Sequence, residues 1–195
     1  EICLDIRVTS IGFGIEGRLL ILGEDAGLRH NREQAAADHT QSLEALNALI
    51  ALNVNPDEAS LDHAVGLVRL YLQAPAAGLY SARPDQPGLT LASGVNLNTS
   101  FPDHIPPNEI EAFRTPQTWV HSRRADNCLS QAARYSGWSA LLSYPVGEWP
   151  GQTGLLFVGY KNGQEGPPVS VLGIASQQVY LLQRQLVQLE SLRRI

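Results

Sequence analysis

Between Leu70 and Leu182, short apolar runs that fit strands alternate with amphipathic stretches that fit helices, opening on one helix and closing on a longer one. The runs are Gly78-Leu79-Tyr80-Ser81, Gly88-Leu89-Thr90-Leu91-Ala92, Gly137 to Val146, and Gly154-Leu155-Leu156-Phe157-Val158-Gly159. One continuous stretch must therefore fold helices and strands together, and 195 residues suffice for one domain of usual size plus extra elements at the ends.

Of the residues, 44% are hydrophobic and 17% charged, which belongs to an ordinary globular chain and is far from the composition of disorder. A net charge of -5, with basic clusters only at Arg123-Arg124 and Arg193-Arg194, offers little to a phosphate backbone, so nucleic acid is not an expected partner. No apolar run approaches the roughly 18 to 20 residues a membrane-spanning helix needs, and no direct membrane contact is expected. Cys3 and Cys128 are isolated thiols that fit a reducing cytoplasm rather than a disulfide framework. The absence of methionine, even at position 1, reads as a segment of a longer parent, itself open to membrane anchoring.

At the amino end Ile2, Leu4, Ile6 and Val8 alternate with Cys3, Asp5, Arg7 and Thr9, and Gly17-Arg18-Leu19-Leu20-Ile21-Leu22-Gly23 follows as a second apolar run. Together they predict a hairpin. The intervening Gly12-Phe13-Gly14-Ile15-Glu16-Gly17 has the spacing of a dinucleotide loop, but apolar residues closed by Gly23 stand where that mechanism needs a helix. The hairpin phrases, ending in Glu24-Asp25, resemble the last two strands of a PAS domain. Asp25-Ala26-Gly27 keeps only the aspartate of that family's Asp-Ile-Thr ending, and a hairpin belonging to the main domain is the alternative.

Residues 28 to 55 read as a linker helix with Ala36, His39, Leu43, Leu46, Ile50 and Asn53 on one face, broken at Asn55-Pro56-Asp57. Leu61, Val65, Val68 and Leu72 predict a second helix. Strands are predicted near 77–82 and 89–95 around the Arg83 to Gly88 turn, then at Gln117–His121, Trp138–Val146 and Gln152–Tyr160. Short helices are predicted after Pro106-Pro107 and over Cys128–Tyr135. A final helix after Pro167-Pro168 carries Leu172, Ala175, Val179, Leu182, Leu186, Leu189 and Arg193 on one stripe.

Chemistry is sparse. Gly137-Trp138-Ser139-Ala140-Leu141 lacks the second glycine of a nucleophile elbow, which leaves Ser139 without the tight turn a catalytic serine needs. The histidines His30, His39, His63, His104 and His121 have no metal-ligand spacing, and His39 lacks the acidic neighbour of a phospho-accepting histidine. Cys128 follows Arg123, Arg124, Asp126 and Asn127 at a predicted helix start, a place where positive charge and the helix dipole lower a thiol pKa. A half-buried structural thiol is the alternative. Tyr80, Phe101, Phe113, Trp119, Tyr135 and Trp138 bracket the central strands, either as walls of a small-molecule pocket or as plain core.

The four strand phrases and the order of elements over about residues 57 to 190 resemble a GAF domain. The resemblance implies an α+β fold: a central antiparallel sheet, the first and last helices on one face, a pocket beneath the other, and long terminal signalling helices. The implied division is a PAS-like hairpin over 1–27, a linker over 28–55 and the sensor domain over 56–195. The implied function is regulatory and non-enzymatic: a sensor domain, of a histidine kinase first, with an upstream PAS-like and a downstream output domain. It would bind a small molecule, pair as a homodimer, or both. Pocket candidates are Tyr80, Phe101, Trp119, His121, Cys128, Tyr135, Trp138 and Ser139. The pairing helices would use Leu43, Leu46, Ile50, Val179, Leu182, Leu186 and Leu189. No cofactor or metal is required by the sequence. Bilin attachment by GAF relatives usually needs a histidine beside the cysteine, and Leu129 stands there. The alternatives are a ligand-free dimerising spacer, or a thiol-based redox sensor or enzyme acting through Cys128.

Overall fold

A computed structural model describes residues 4–11, 18–57, 59–124, 126–147, 153–164 and 166–193, with side chains from Arg29 onward. The chain divides into two compact units, Glu1–Gln41 and Ser42–Ile195. Strands β1, Leu4–Ile11, and β2, Arg18–Asp25, form an antiparallel hairpin with Leu4 opposite Asp25 and Ile11 opposite Arg18. The Gly12 to Gly17 loop and Cys3 lie outside the described residues. Helix α1 follows over Ala26–Leu52, as its helix-forming composition predicts, and the unit boundary falls within it.

The second unit is built on six strands: β3 Ala76–Arg83, β4 Gln86–Val95, β5 His104–Ile105, β6 Gln117–Val120, β7 Ala140–Val146 and β8 Gly154–Tyr160. Their order across the sheet is β5-β4-β3-β8-β7-β6, with every pairing antiparallel. Helices α2, Ser60–Tyr71, α3, Pro107–Ile110, α4, Cys128–Tyr135, and α5, Val169–Arg193, complete it, with a 3-10 turn over Glu111–Phe113. The fold is α+β, a curled antiparallel sheet with flanking helices.

Every residue of β8 is buried, so its run is apolar throughout, and the period of two shows in what each residue touches. Leu156, Val158 and Tyr160 join Ala77, Leu79, Ala140 and Leu142 on one face, packed with Leu49 of α1, Val65 and Val68 of α2, and Leu172, Val179 and Leu182 of α5. Leu155 and Phe157 point the other way, into a cluster with Tyr80, Phe101, Ile105, Phe113, Trp119, Leu129 and Trp138. The first and last helices thus share one face of the sheet, while α4 and the segment leading from β4 to β6 cover the other.

The short pair β5 was not legible in the sequence. Two residues carry no period, and their strand state comes from pairing Leu89 with Ile105 and Thr90 with His104. Strand β7 begins at Ala140 rather than Trp138, because Trp138 N donates to Ala133 O and thereby closes the end of α4.

Candidate functional site

On the aromatic face Phe101 lies between two rings, its centroid 4.6 Å from that of Trp138 and 5.5 Å from that of Phe157. Tyr80 stands 5.6 Å from Phe157, and its hydroxyl donates to Pro102 O at 2.6 Å. Two glycines make this packing possible. A Cβ at Gly78 would overlap the edge of the Phe157 ring, and one at Gly159 the Trp138 indole, so each strand gives up a side chain to let a ring lie against the backbone. The face assigned to a pocket by resemblance is occupied by the protein's own buried rings.

The eight pocket candidates separate accordingly. Tyr80, Phe101, Trp119 and Trp138 are buried and meet in this one cluster. Cys128 is half-buried at its margin. His121 is exposed at the end of β6, with its ring edge-on to Trp119 at 6.1 Å. Ser139 lies before β7, and its hydroxyl donates to Gln164 O at 2.7 Å, which removes it from the cluster and gives it a structural partner. Tyr135 is 82% exposed on the outer side of α4 and does not belong to the aromatic wall. Sequence reasoning missed Phe157, which reads there as a strand residue without a face, and Ile105, which lies in a stretch that carries no strand signal.

Cys128 does begin α4, where Asn127 and Ser130 form a capping box: Ser130 N donates to Asn127 Oδ1 at 2.9 Å, and Asn127 N to Ser130 Oγ at 3.2 Å. The expectation of a lowered thiol pKa is overturned. Burial pushes the Cys128 thiol up to about 12, and the Glu109 carboxylate adds to this by accepting its hydrogen bond and by its charge. Glu109 also accepts from Cys128 N at 2.9 Å, so burial and then a carboxylate, rather than the arginines near it in sequence, set the state of the thiol. A thiol held protonated is a poor nucleophile and a poor redox centre. Among the described residues no group of three or more histidines, cysteines, aspartates and glutamates could hold a metal.

The helix face carries the other candidates. Val179 and Leu182 are fully buried in the domain's own core, and a partner cannot reach them. Leu43 and Ile50 are 47% and 46% exposed, Leu46 is half-buried, and the α1 residues that do face the core are Ala45 and Leu49, one position along. On α5, Leu186 packs partly against the core and Leu189 is exposed, as are Ile174, Leu181, Val187 and Leu192. Asn53 Nδ2 donates to Gln178 Oε1 at 3.1 Å, tying the end of α1 to α5. A groove of about 980 Å³ runs along α5 beside Leu61, Ser81 and Thr153, with Leu186 and Leu189 in its wall. Gln183 bridges its floor, donating to Ser81 Oγ at 2.7 Å and accepting from Thr153 Oγ1 at 2.9 Å.

No family model and no curated protein matches the chain. Among solved structures it resembles the GAF domain of an Acinetobacter phosphoenolpyruvate-protein phosphotransferase, with 15% identity and a TM-score of 0.55 over 74% of this chain and 94% of that one. A domain of a protein assigned as a two-component sensor histidine kinase from Sinorhizobium meliloti 1021 matches at 15% identity and TM-score 0.54, over 72% of this chain and 98% of that one. The free methionine-R-sulfoxide reductase of Neisseria meningitidis matches at 13% identity and TM-score 0.57, over 74% and 91%. Three different parent activities on one architecture mean that the likeness speaks to fold and leaves function to the side chains. The sheet order, the two-faced core and these likenesses together show that residues of the second unit carry the GAF fold.

Proposed function

We propose that the chain is a regulatory module of a signalling protein, in which two copies pair along α1 and α5 and a change in helix arrangement carries the signal. The observation that carries this reading is the row of large apolar side chains left exposed on the two helices that also build the core: Leu43 and Ile50 on α1, and Ile174, Leu181, Val187, Leu189 and Leu192 on α5. Fully burying a leucine or isoleucine stabilises by roughly 1.5 to 3 kcal/mol before ordering costs, and the exposed part of each of these side chains is available to drive pairing. Because the same helices pack on the sheet through Leu49, Val179 and Leu182, a shift at the pairing seam is felt in the core.

The parent is, in this reading, a cytoplasmic sensor histidine kinase, with a PAS-like domain ending in the β1–β2 hairpin on one side and an output domain on the other. The filled aromatic face favours pairing over an open small-molecule pocket, and the protonated Cys128 weighs against a thiol enzyme. Native mass spectra and sedimentation velocity of the purified chain test it. The expected result is a dimer that a Leu43→Glu, Leu181→Glu variant converts to a folded monomer. A wild-type monomer throughout the micromolar range would overturn the proposal, and a retained small molecule would return the ligand-sensor reading.

A further inference from the structure

Across the sheet from the pairing helices, the outer side of α4 presents a depression of about 520 Å³ lined by Arg124, Gln131, Arg134 and Tyr135. All four are exposed, and Tyr135 is more exposed than any other large apolar or aromatic side chain described. Arg124 and Arg134 line it from different elements, one from the turn after β6 and the other from the last turn of α4. Among the described residues neither guanidinium is joined to a carboxylate. The chain as a whole carries 19 acidic against 14 basic residues, which makes two unpaired cations around one hollow a local reversal of its charge.

A structural role accounts for only one of the two. Arg134 suits the carboxy-terminal end of α4, where a cation meets the negative end of the helix dipole. Arg124 has no such reason. Two like charges lining one hollow add their positive potentials there, which favours an anion able to accept from both. Guanidinium groups present planar, forked donors that match the oxygens of a phosphate, and the Gln131 amide supplies a further donor. The Tyr135 ring at the rim offers a flat apolar surface to whatever the phosphate is attached to.

We propose that Arg124, Gln131, Arg134 and Tyr135 form a binding site for a small phosphomonoester, its dianion held between the two guanidinium groups and its organic part laid on the Tyr135 ring. The site is separate from the pairing surface and does not depend on it.

The test uses the full chain at low ionic strength, with inorganic phosphate and phenyl phosphate as probes and amide resonances of α4 as the readout. Both probes are expected to shift the Arg124 to Tyr135 amides, phenyl phosphate at the lower concentration, with affinity falling as salt is raised to about 0.2 M. Arg124→Gln with Arg134→Gln is expected to weaken both probes by roughly tenfold or more. Tyr135→Ala should bring phenyl phosphate down to the level of inorganic phosphate. The substituted side chains are all exposed, so unchanged thermal unfolding of the variants confirms that the fold is intact. Absence of any shift with either probe in the wild-type chain overturns the proposal, as does equal binding by the double arginine variant. Equal affinity for the two probes in the wild-type chain overturns the part given to Tyr135.

Discussion

The two faces of the sheet solve the same burial problem with different residues. On the helix face the core is aliphatic, with Leu79, Leu142, Leu156 and Val158 against Leu49, Val68, Val179 and Leu182. On the other face it is aromatic, with Phe101, Trp138, Phe157 and Tyr80 in mutual contact and two strand glycines making room for them. The aliphatic face is covered by helices whose far sides still hold exposed leucines and isoleucines. The aromatic face is covered by short elements tied down by local hydrogen bonds, such as Leu91 N to Asp103 O at 2.9 Å and Ser136 Oγ to Asn98 Oδ1 at 2.8 Å. The ring side closes upon itself, whereas the helix side keeps large apolar side chains exposed. In the proposed pairing, that contrast puts association on the helix side and internal rigidity on the ring side.

The contrast is broken most directly by Phe157→Ala, which removes the ring that two others pack against. A loss of about 3 to 5 kcal/mol is expected in urea unfolding, and less than about 1 kcal/mol would mean the ring side is loosely packed. On the helix side, Leu182→Ala should cost about 2 to 5 kcal/mol, whereas its exposed neighbour Leu181→Ala should stay within about 0.5 kcal/mol in the monomer and instead weaken pairing. Equal effects of the two would erase the division between core and seam. Gly159→Ala sharpens the same picture, because the added methyl displaces the Trp138 indole. It should cost about 1 to 3 kcal/mol and shift the tryptophan fluorescence.

The smallest effect is that of pH. The Cys128 thiol is pushed up to about 12 from an ordinary 9.0, so the folded state holds a proton that the unfolded chain releases first. Its contribution is therefore fully present below about pH 9 and declines as pH rises from there toward 12. Unfolding measured between about pH 8 and pH 10 should show stability falling with pH, and a Cys128→Ala variant should show a shallower slope. Burial also raises Tyr80 and Tyr160, which act in the same direction at higher pH, so the comparison belongs below their range. An identical slope in the variant would separate the thiol from the rigidity of the ring side.

Much of this architecture was legible in the order of residues. Helix α4 was readable to the residue, since Asn127 is a good cap and Gly137 closes the segment at a φ of +71°. Strands β3, β4 and β8 were readable within a few residues from apolar runs bounded by glycine and proline. The sites were less so. A heptad stripe names residues on one side of a helix but not which of two neighbours takes that side, and in α5 the stripe through Val179 and Leu182 went to the domain's own sheet. For Cys128, nearby arginines in the sequence suggested a lowered pKa, while Glu109, 19 positions earlier, is what touches it.

The sequence by itself determined all the principal elements except the two-residue β5, their order and the mixed character of the fold, because helix periodicity, strand alternation, caps and breakers act over a few residues. The tertiary structure alone decided that aromatic residues from β3, β4–β5, β6 and β8 fill one face, that Leu181 is outside and Leu182 inside, and that Arg124 and Arg134 line one hollow. Those outcomes depend on which strands become neighbours, and the order β5-β4-β3-β8-β7-β6 joins segments 70 or more residues apart by hydrogen bonds that no local pattern encodes.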